Sequence, residues 1–266
     1  AEQQTLRRCT VAIAARNNFA PLLETILRLC VKQLCEKQAN PRKNPQKPSP
    51  LIFIFTAQPN TMAKKAASID LSDSFEKIPV KIFPTPKDGS AFVARQVADF
   101  IREKQKRKEK CVLGLATGST PKSLYAELVR MHKEEKLSFK NVVTFNLDEY
   151  YPIENNALQS YNRFMKSHLF DHIDIHSKNI HIPNGEIKKE DIKEHCRHYE
   201  KMIADAGGID LQILGIGNNG HIGFNEPGSG IYSKTWLINL DNSTRLANSY
   251  EFANISQVPL LALTMG

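Results

Sequence analysis

Long apolar runs, paired cysteines and a one-sided charge are all scarce in this 266-residue chain. The longest strongly apolar run is Leu-Ile-Phe-Ile-Phe at residues 51–55, far short of the roughly 20 residues a membrane-spanning helix needs. The five cysteines form no Cys-x-x-Cys pair and no even set, which excludes a disulfide framework and points to reduced thiols in a cytoplasmic protein. Arg7-Arg8 and the short apolar stretch behind them run straight into Arg16, too brief for a secretory leader. No self-similarity at periods of about 20–50 residues signals a repeat fold. The net charge of +8 is unevenly spread: residues 1–61 hold nine Lys/Arg and three Asp/Glu, leaving the remainder at only +2. A near-neutral body excludes a broad electrostatic grip on nucleic acid or on a membrane surface.

What is there falls into two parts. Residues 22–34 carry apolar side chains at helical spacing and lead into 39–50, where four prolines within ten residues forbid helix. Residues 51–55 read as a strand or a sticky loop. Met62-Ala63-Lys64-Lys65 has the look of an initiation site, so residues 1–61 are expected to be an N-terminal extension, partly disordered and without a part in the chemistry. Residues 62–266 are expected to form the working domain. From Pro79 onward strands and helices alternate. Strands are expected at 80–83, 111–116, 142–147 and 211–216, and helices at 86–106, 121–132, 160–169 and 189–206. Cys111-Val112-Leu113-Gly114-Leu115-Ala116 is nearly continuous in apolar residues, as a strand buried on both faces should be. The alternation implies an α/β fold, a layered and mostly parallel sheet with helices on both faces.

Unusual residues gather at three strand ends, the edge where open α/β sheets bind ligands. Thr117-Gly118-Ser119-Thr120-Pro121 follows the second strand and opens a helix. Its backbone N–H groups, hydroxyls and helix N-terminus suit a phosphate, and equally a tight turn with a capping Thr. It lacks the Lys-Ser/Thr of a nucleotide-binding loop. Asp148-Glu149 ends the third strand. Neighbouring side chains diverge there, so one carboxylate can face a pocket as a general base, unless the pair is a solvated acidic loop. Gly215–Gly228 holds His221 among glycines, with Asn219 before it and Glu226 five residues beyond. A tight loop brings His221 and Glu226 together, and the carboxylate then orients and partly charges the imidazole. No second His or Cys stands at metal-ligand spacing there, and His195-Cys196-Arg197-His198 reads as a solvated helix face.

Together, in this order, Leu113–Pro121, Val143–Tyr150 and Gly215–Pro227 resemble the glucosamine-6-phosphate deaminase family, with Ser160-Tyr161 and residues 164–174 between them also similar. The resemblance runs from about Phe75 to Gly266. It implies a Rossmann-like fold of the deaminase/6-phosphogluconolactonase type in a cytoplasmic protein, possible as a homo-oligomer. It implies conversion of glucosamine 6-phosphate and water to fructose 6-phosphate and ammonia, a step in amino-sugar catabolism that needs neither metal nor organic cofactor. His221, with Asn219 and Glu226, would carry ring opening. Asp148 would move a proton from C2 to C1. Thr117, Gly118, Ser119 and Thr120 would hold the phosphate. Two departures from the family pattern stand out. Asn219 replaces an Asp of one well-known form, and an amide orients an imidazole without sharing its proton. Tyr250 stands where the family has a phosphate-binding Arg, Arg245 matching a different position. A further strand-helix unit that supplies a Lys to the phosphate is not found after Met265, so the domain is expected to be truncated at its C-terminus. Within the same fold, a 6-phosphogluconolactonase-like hydrolase is the alternative, disfavoured by the intact Asn146–Tyr150 motif. A non-catalytic sugar-phosphate sensor or an inactive fragment is the alternative of another class.

Overall fold

The computed structural model describes residues 80–217 and 219–266, together with two strands at 11–13 and 51–56. The helix expected over 22–34, the proline-rich stretch and the start at Met62 lie outside the described residues. Short strands β1 (Val11–Ile13) and β3 (Val80–Ile82) pair in parallel. The main sheet is five-stranded and wholly parallel. Its strands are β2 (Leu51–Thr56), β4 (Cys111–Leu115), β5 (Val142–Asn146), β7 (Ile180–His181) and β8 (Leu211–Ile216), in the order β2-β8-β4-β5-β7. The six-residue pairing of β2 with β8 lies ahead of residue 61, the boundary expected from composition.

Helices cover both faces of this sheet. Helix α1 (Pro86–Lys106) starts where Thr85 caps it by accepting from the Asp88 N–H, with Pro in its first turn. Its buried stripe of Val93, Ala94, Val97, Ala98 and Ile101 joins α2 (Lys122–Glu135) over Cys111, Leu113 and Leu115. Helix α3 (Tyr161–His168) adds Met165 to the same core. On the other face α4 (Ile192–Asp205) packs Tyr199 and Met202 against Val112, Val143 and Phe145. Alternate residues of β4 and β5 thus feed two different cores, which is why these strands read as unbroken apolar runs. In α4 Cys196 is buried and His195 accepts the Asn184 N–H at 3.0 Å. That corrects the expectation of a wholly solvated face: this stripe packs against the neighbouring segments. No described helix is long and apolar enough to cross a membrane.

A second sheet was not foreseen. Instead of entering a loop after β5, the chain turns at Leu147 and becomes strand β6 (Asp148–Tyr151). Leu147 bridges the two sheets, its N–H donating to the Leu115 carbonyl at 3.0 Å and its carbonyl accepting the Met265 N–H at 2.8 Å. Strand β6 lies antiparallel to β10 (Leu261–Thr264), which also pairs with β9 (Trp236–Asn239). The registers Asp148↔Thr264 and Trp236↔Thr264 set the end of β10 between two parts of the candidate site. Between β9 and β10 lies the short helix α5 (Asn242–Asn248), capped by Asp241, which accepts the Ser243 N–H at 2.8 Å.

Candidate active site

The two adjacent carboxylates do diverge. Glu149 turns inward, 0% exposed, and accepts three backbone N–H bonds, from Tyr150, Tyr161 and Asn162, each at 2.9 Å. Two of these are orphan donors in the first turn of α3, whose other cap is Ser160, accepting the Arg163 N–H. Burial pushes the Glu149 carboxyl up to about 7 while the three donors favour its charged form. Asp148 is 6% exposed, and no described residue donates a hydrogen bond to its carboxylate. Burial, and secondarily the charge of Glu149, lifts it to about 8. A carboxyl held this far up takes a proton readily near neutral pH, the property a general base or acid requires.

The glycine-rich loop after β8 closes on itself. The Gly217 N–H donates to the His221 carbonyl at 2.9 Å, and the imidazole lies over Gly217 so closely that a Cβ there would meet Cε1 at 2.1 Å. Glycine is therefore required at 217. Glu226, 7% exposed, accepts the Asp241 N–H at 3.0 Å and the Asn219 Nδ2–H at 2.8 Å. A carboxylate only accepts, so the Asn219 amide must present Nδ2 to Glu226 and Oδ1 to His221 Nδ1, which it meets at 2.7 Å. That geometry places the ring proton on Nδ1 and leaves the Nε2 lone pair free. Glu226 itself stands 3.7 Å from Nδ1. Burial lowers the His221 pKa, opposed by the charge of Glu226. The expected partly charged imidazole is thus corrected. Asn219 stands between it and the carboxylate, and burial holds the ring neutral.

Two further residues complete the loop. Thr244, 2% exposed in α5, puts its hydroxyl 3.2 Å from His221 Nδ1. Nothing in the sequence announces its contact with a histidine 23 residues away. Thr264, also fully buried, accepts the Phe224 N–H at 3.0 Å. A Cβ on Gly223, whose φ is +60°, would lie 2.9 Å from Thr264 Oγ1 and 3.5 Å from Asp148 Oδ2. The end of β10 thus holds the His221 loop directly against Asp148, and only glycine fits at the contact.

The loop of Thr117, Gly118, Ser119 and Thr120 follows β4, with Gly118 at φ +98° and, its chain neighbours aside, no atom of the described residues within 4 Å of where its Cβ would be. Helix α2 begins behind it with Pro121 as N-cap and no side-chain cap, so the capping-Thr reading is not realised and first-turn N–H groups remain available to an anion. Tyr250 is 65% exposed, with its hydroxyl beside Ser119 and 3.1 Å from the Glu251 carboxylate. Arg245 is committed elsewhere, donating to the Ile255 and Val258 carbonyls. The neighbouring cation, Lys122, places Nζ 5.6 Å from the Phe164 ring centroid. The arrangement can open a hemiacetal with a neutral imidazole and transfer a carbon-bound proton with a weakly acidic carboxyl.

Comparison with known proteins points the same way. Residues 84–238 match the family model described as glucosamine-6-phosphate isomerases/6-phosphogluconolactonase. A glucosamine-6-phosphate deaminase of Thermoanaerobacter sp. (strain X514) is 49% identical over 174 residues, 65% of this chain and 68% of that protein. A putative glucosamine-6-phosphate deaminase-like protein of Bacteroides thetaiotaomicron is 48% identical over 191 residues. That match takes in 72% of this chain, which spans only 29% of the Bacteroides protein's length. Among solved structures, a monomeric glucosamine-6-phosphate deaminase superposes with TM-score 0.65 at 45% identity, covering 68% of this chain and 73% of that one. The 6-phosphogluconolactonase of Trypanosoma brucei shares the fold, with TM-score 0.54 at 18% identity over 70% of this chain and 75% of its own.

Proposed function

The chain belongs to the glucosamine-6-phosphate isomerase/6-phosphogluconolactonase family, and from that premise we propose that it converts glucosamine 6-phosphate and water to fructose 6-phosphate and ammonia. One observation carries this reading: a buried carboxyl lifted to about 8, lying under the glycine loop that bears a neutral, oriented imidazole. A lactone hydrolase has to activate water but has no carbon-bound proton to remove. An aldose–ketose isomerisation needs a proton taken from one carbon and returned to the next, which suits a lone carboxyl shielded from solvent.

The steps follow from the side chains. The Thr117–Thr120 loop and the start of α2 hold the phosphate, so that binding at one end of the sugar orients the reacting carbons at the other. His221 Nε2 takes the proton of the C1 hydroxyl and delivers it to the ring oxygen, opening the ring to the aldehyde. Asn219 fixes the tautomer throughout, and Glu226 fixes Asn219. Ionised Asp148 then removes the C2 proton, a proton passing from the substrate's ammonium to O1 gives the enolamine, and Asp148 returns its proton to C1. C2 is now an imine carbon. Water adds there and ammonia leaves, giving the ketose phosphate. The substrate's own ammonium, one bond from the proton being removed, draws Asp148 toward its charged form on binding.

The test is ammonia release from glucosamine 6-phosphate, run beside hydrolysis of 6-phosphogluconolactone. Ammonia with stoichiometric fructose 6-phosphate, and no lactone cleavage above the spontaneous rate, is the expected result. Lactone cleavage without ammonia would overturn the reading.

A further inference from the structure

The His221 loop is held from outside the site by a side chain without a role in the chemistry proposed above. Trp236, the single tryptophan of the chain, is half-buried on β9 and forms part of the wall of a surface groove of about 770 Å³ between β9 and α4. Neither Asp148, His221 nor the Thr117–Thr120 loop lines that groove. Its indole Nε1–H donates to Asn225 Oδ1 at 3.0 Å. With its oxygen engaged, the Asn225 amide aims Nδ2 at two carbonyls, those of Ile222 at 3.0 Å and Met265 at 2.6 Å. Ile222 directly follows His221 and bridges to both Ile216 and Asn225, and Met265 follows Thr264 at the end of β10. One amide therefore ties the residue after the imidazole to the strand end beside Asp148.

We infer that Trp236 is a positioning residue: its indole N–H locks the orientation of Asn225, and that amide sets His221 in register with Asp148. Without the donor, Asn225 Oδ1 has no fixed partner and the amide is free to turn toward water, which releases both carbonyls. An unpaired half-buried acceptor is relieved by such a turn rather than tolerated. The inference rests on the deaminase reading for its kinetic consequence, but its structural half does not.

The decisive variant is Trp236→Phe, which keeps a ring in the groove wall and removes only the donor. Turnover is expected to fall about three- to tenfold with KM within about twofold, because the phosphate loop is untouched. The Asn225→Ala variant is expected to lose more, and the double variant no more than Asn225→Ala alone, since the two act through one bond. Independently of turnover, the imidazole of His221, assigned by its disappearance in His221→Gln, is followed by ¹H–¹⁵N NMR. Its titration midpoint, held low by burial, is expected to move up toward the ordinary histidine value in Trp236→Phe, with the melting temperature unchanged to within about 2 °C. An unmoved His221 titration overturns the inference even if the wild type releases no ammonia, an outcome that would count against the deaminase reading instead. A turnover loss that only parallels a loss of folded protein, or additive losses in the double variant, would also overturn it.

Discussion

Asp148 and Glu149 have nearly the same chemistry, one bond apart along the chain, and entirely different surroundings. Glu149 is answered by three N–H groups, Asp148 by none among the described residues. Replacing Asp148 with Asn removes the proton acceptor without changing shape, so ammonia release is expected to fall by about 10²–10⁴-fold while sugar-phosphate binding, followed by calorimetry, stays within a few-fold. The same substitution carries a stability signature. The folded Asp148 carboxyl binds its proton up to about 8, whereas the unfolded one releases it near pH 4. Folding is therefore penalised progressively as pH rises from about 4 to about 8, and removing the charge removes the penalty. Asp148→Asn is expected to melt several degrees above the wild type at pH 8 and to converge with it at pH 4. For the active enzyme, the acidic limb of kcat/KM is expected far above the ordinary carboxylate range, rate rising with pH toward about 8 as Asp148 ionises. Asn219→Asp should raise the titration of His221, measured by NMR, because the oxygen 2.7 Å from Nδ1 then belongs to a carboxylate, which shares one proton with Glu226.

Among the elements, the loops and short strands decide where these groups stand. Gly217→Ala would drive a methyl into the imidazole, and turnover is expected to drop at least tenfold with far-ultraviolet circular dichroism unchanged. Thr264→Val keeps the volume but loses the acceptor of the Phe224 N–H, an expected cost of about 1–2 kcal/mol in denaturant melts. The long elements are legible in the sequence. The helix from Pro86, the strand at 211–216 and the Pro121 turn carry local signals, proline and periodicity, that act within a few residues. Strands β6, β9 and β10 were not legible. Asp-Glu-Tyr-Tyr, Trp-Leu-Ile-Asn and Leu-Ala-Leu-Thr are four residues each, too short for a period to emerge, and each is made a strand by partners far away in the chain. Likewise the candidate residues Asp148, His221 and Glu226 drew attention because glycine, histidine and carboxylates are conspicuous in a loop. Thr244, Thr264 and Trp236 were missed because an ordinary Thr or Trp gains its importance only from a long-range contact.

For the molecule as a whole, composition divided the chain at residue 61, while the main sheet takes a strand from before that point. The parallel pairing of β2 along all six residues of β8 covers the backbone edge of the strand from which the His221 loop springs. If residues 1–61 are a dispensable extension, a chain begun at Met62 keeps its stability. With the edge of β8 stripped, it is expected instead to melt at least about 5 °C lower, with turnover reduced as the loop at its end loosens. Thermal melts and ammonia release on the two lengths decide between them.

The register of Asp148 with Thr264 also has a consequence for the protein's birth. The two halves of the site are 73 residues apart, counting from Asp148 to His221, yet what seats one on the other is a strand end synthesised later than both. During translation the parallel sheet can assemble around β4 and β5 while Asp148 still faces an unclosed surface, and the His221 loop lacks its anchor until Thr264 and Met265 have left the ribosome. On the proposed reading, the strand end that seats His221 over Asp148 is the last of these parts to be synthesised.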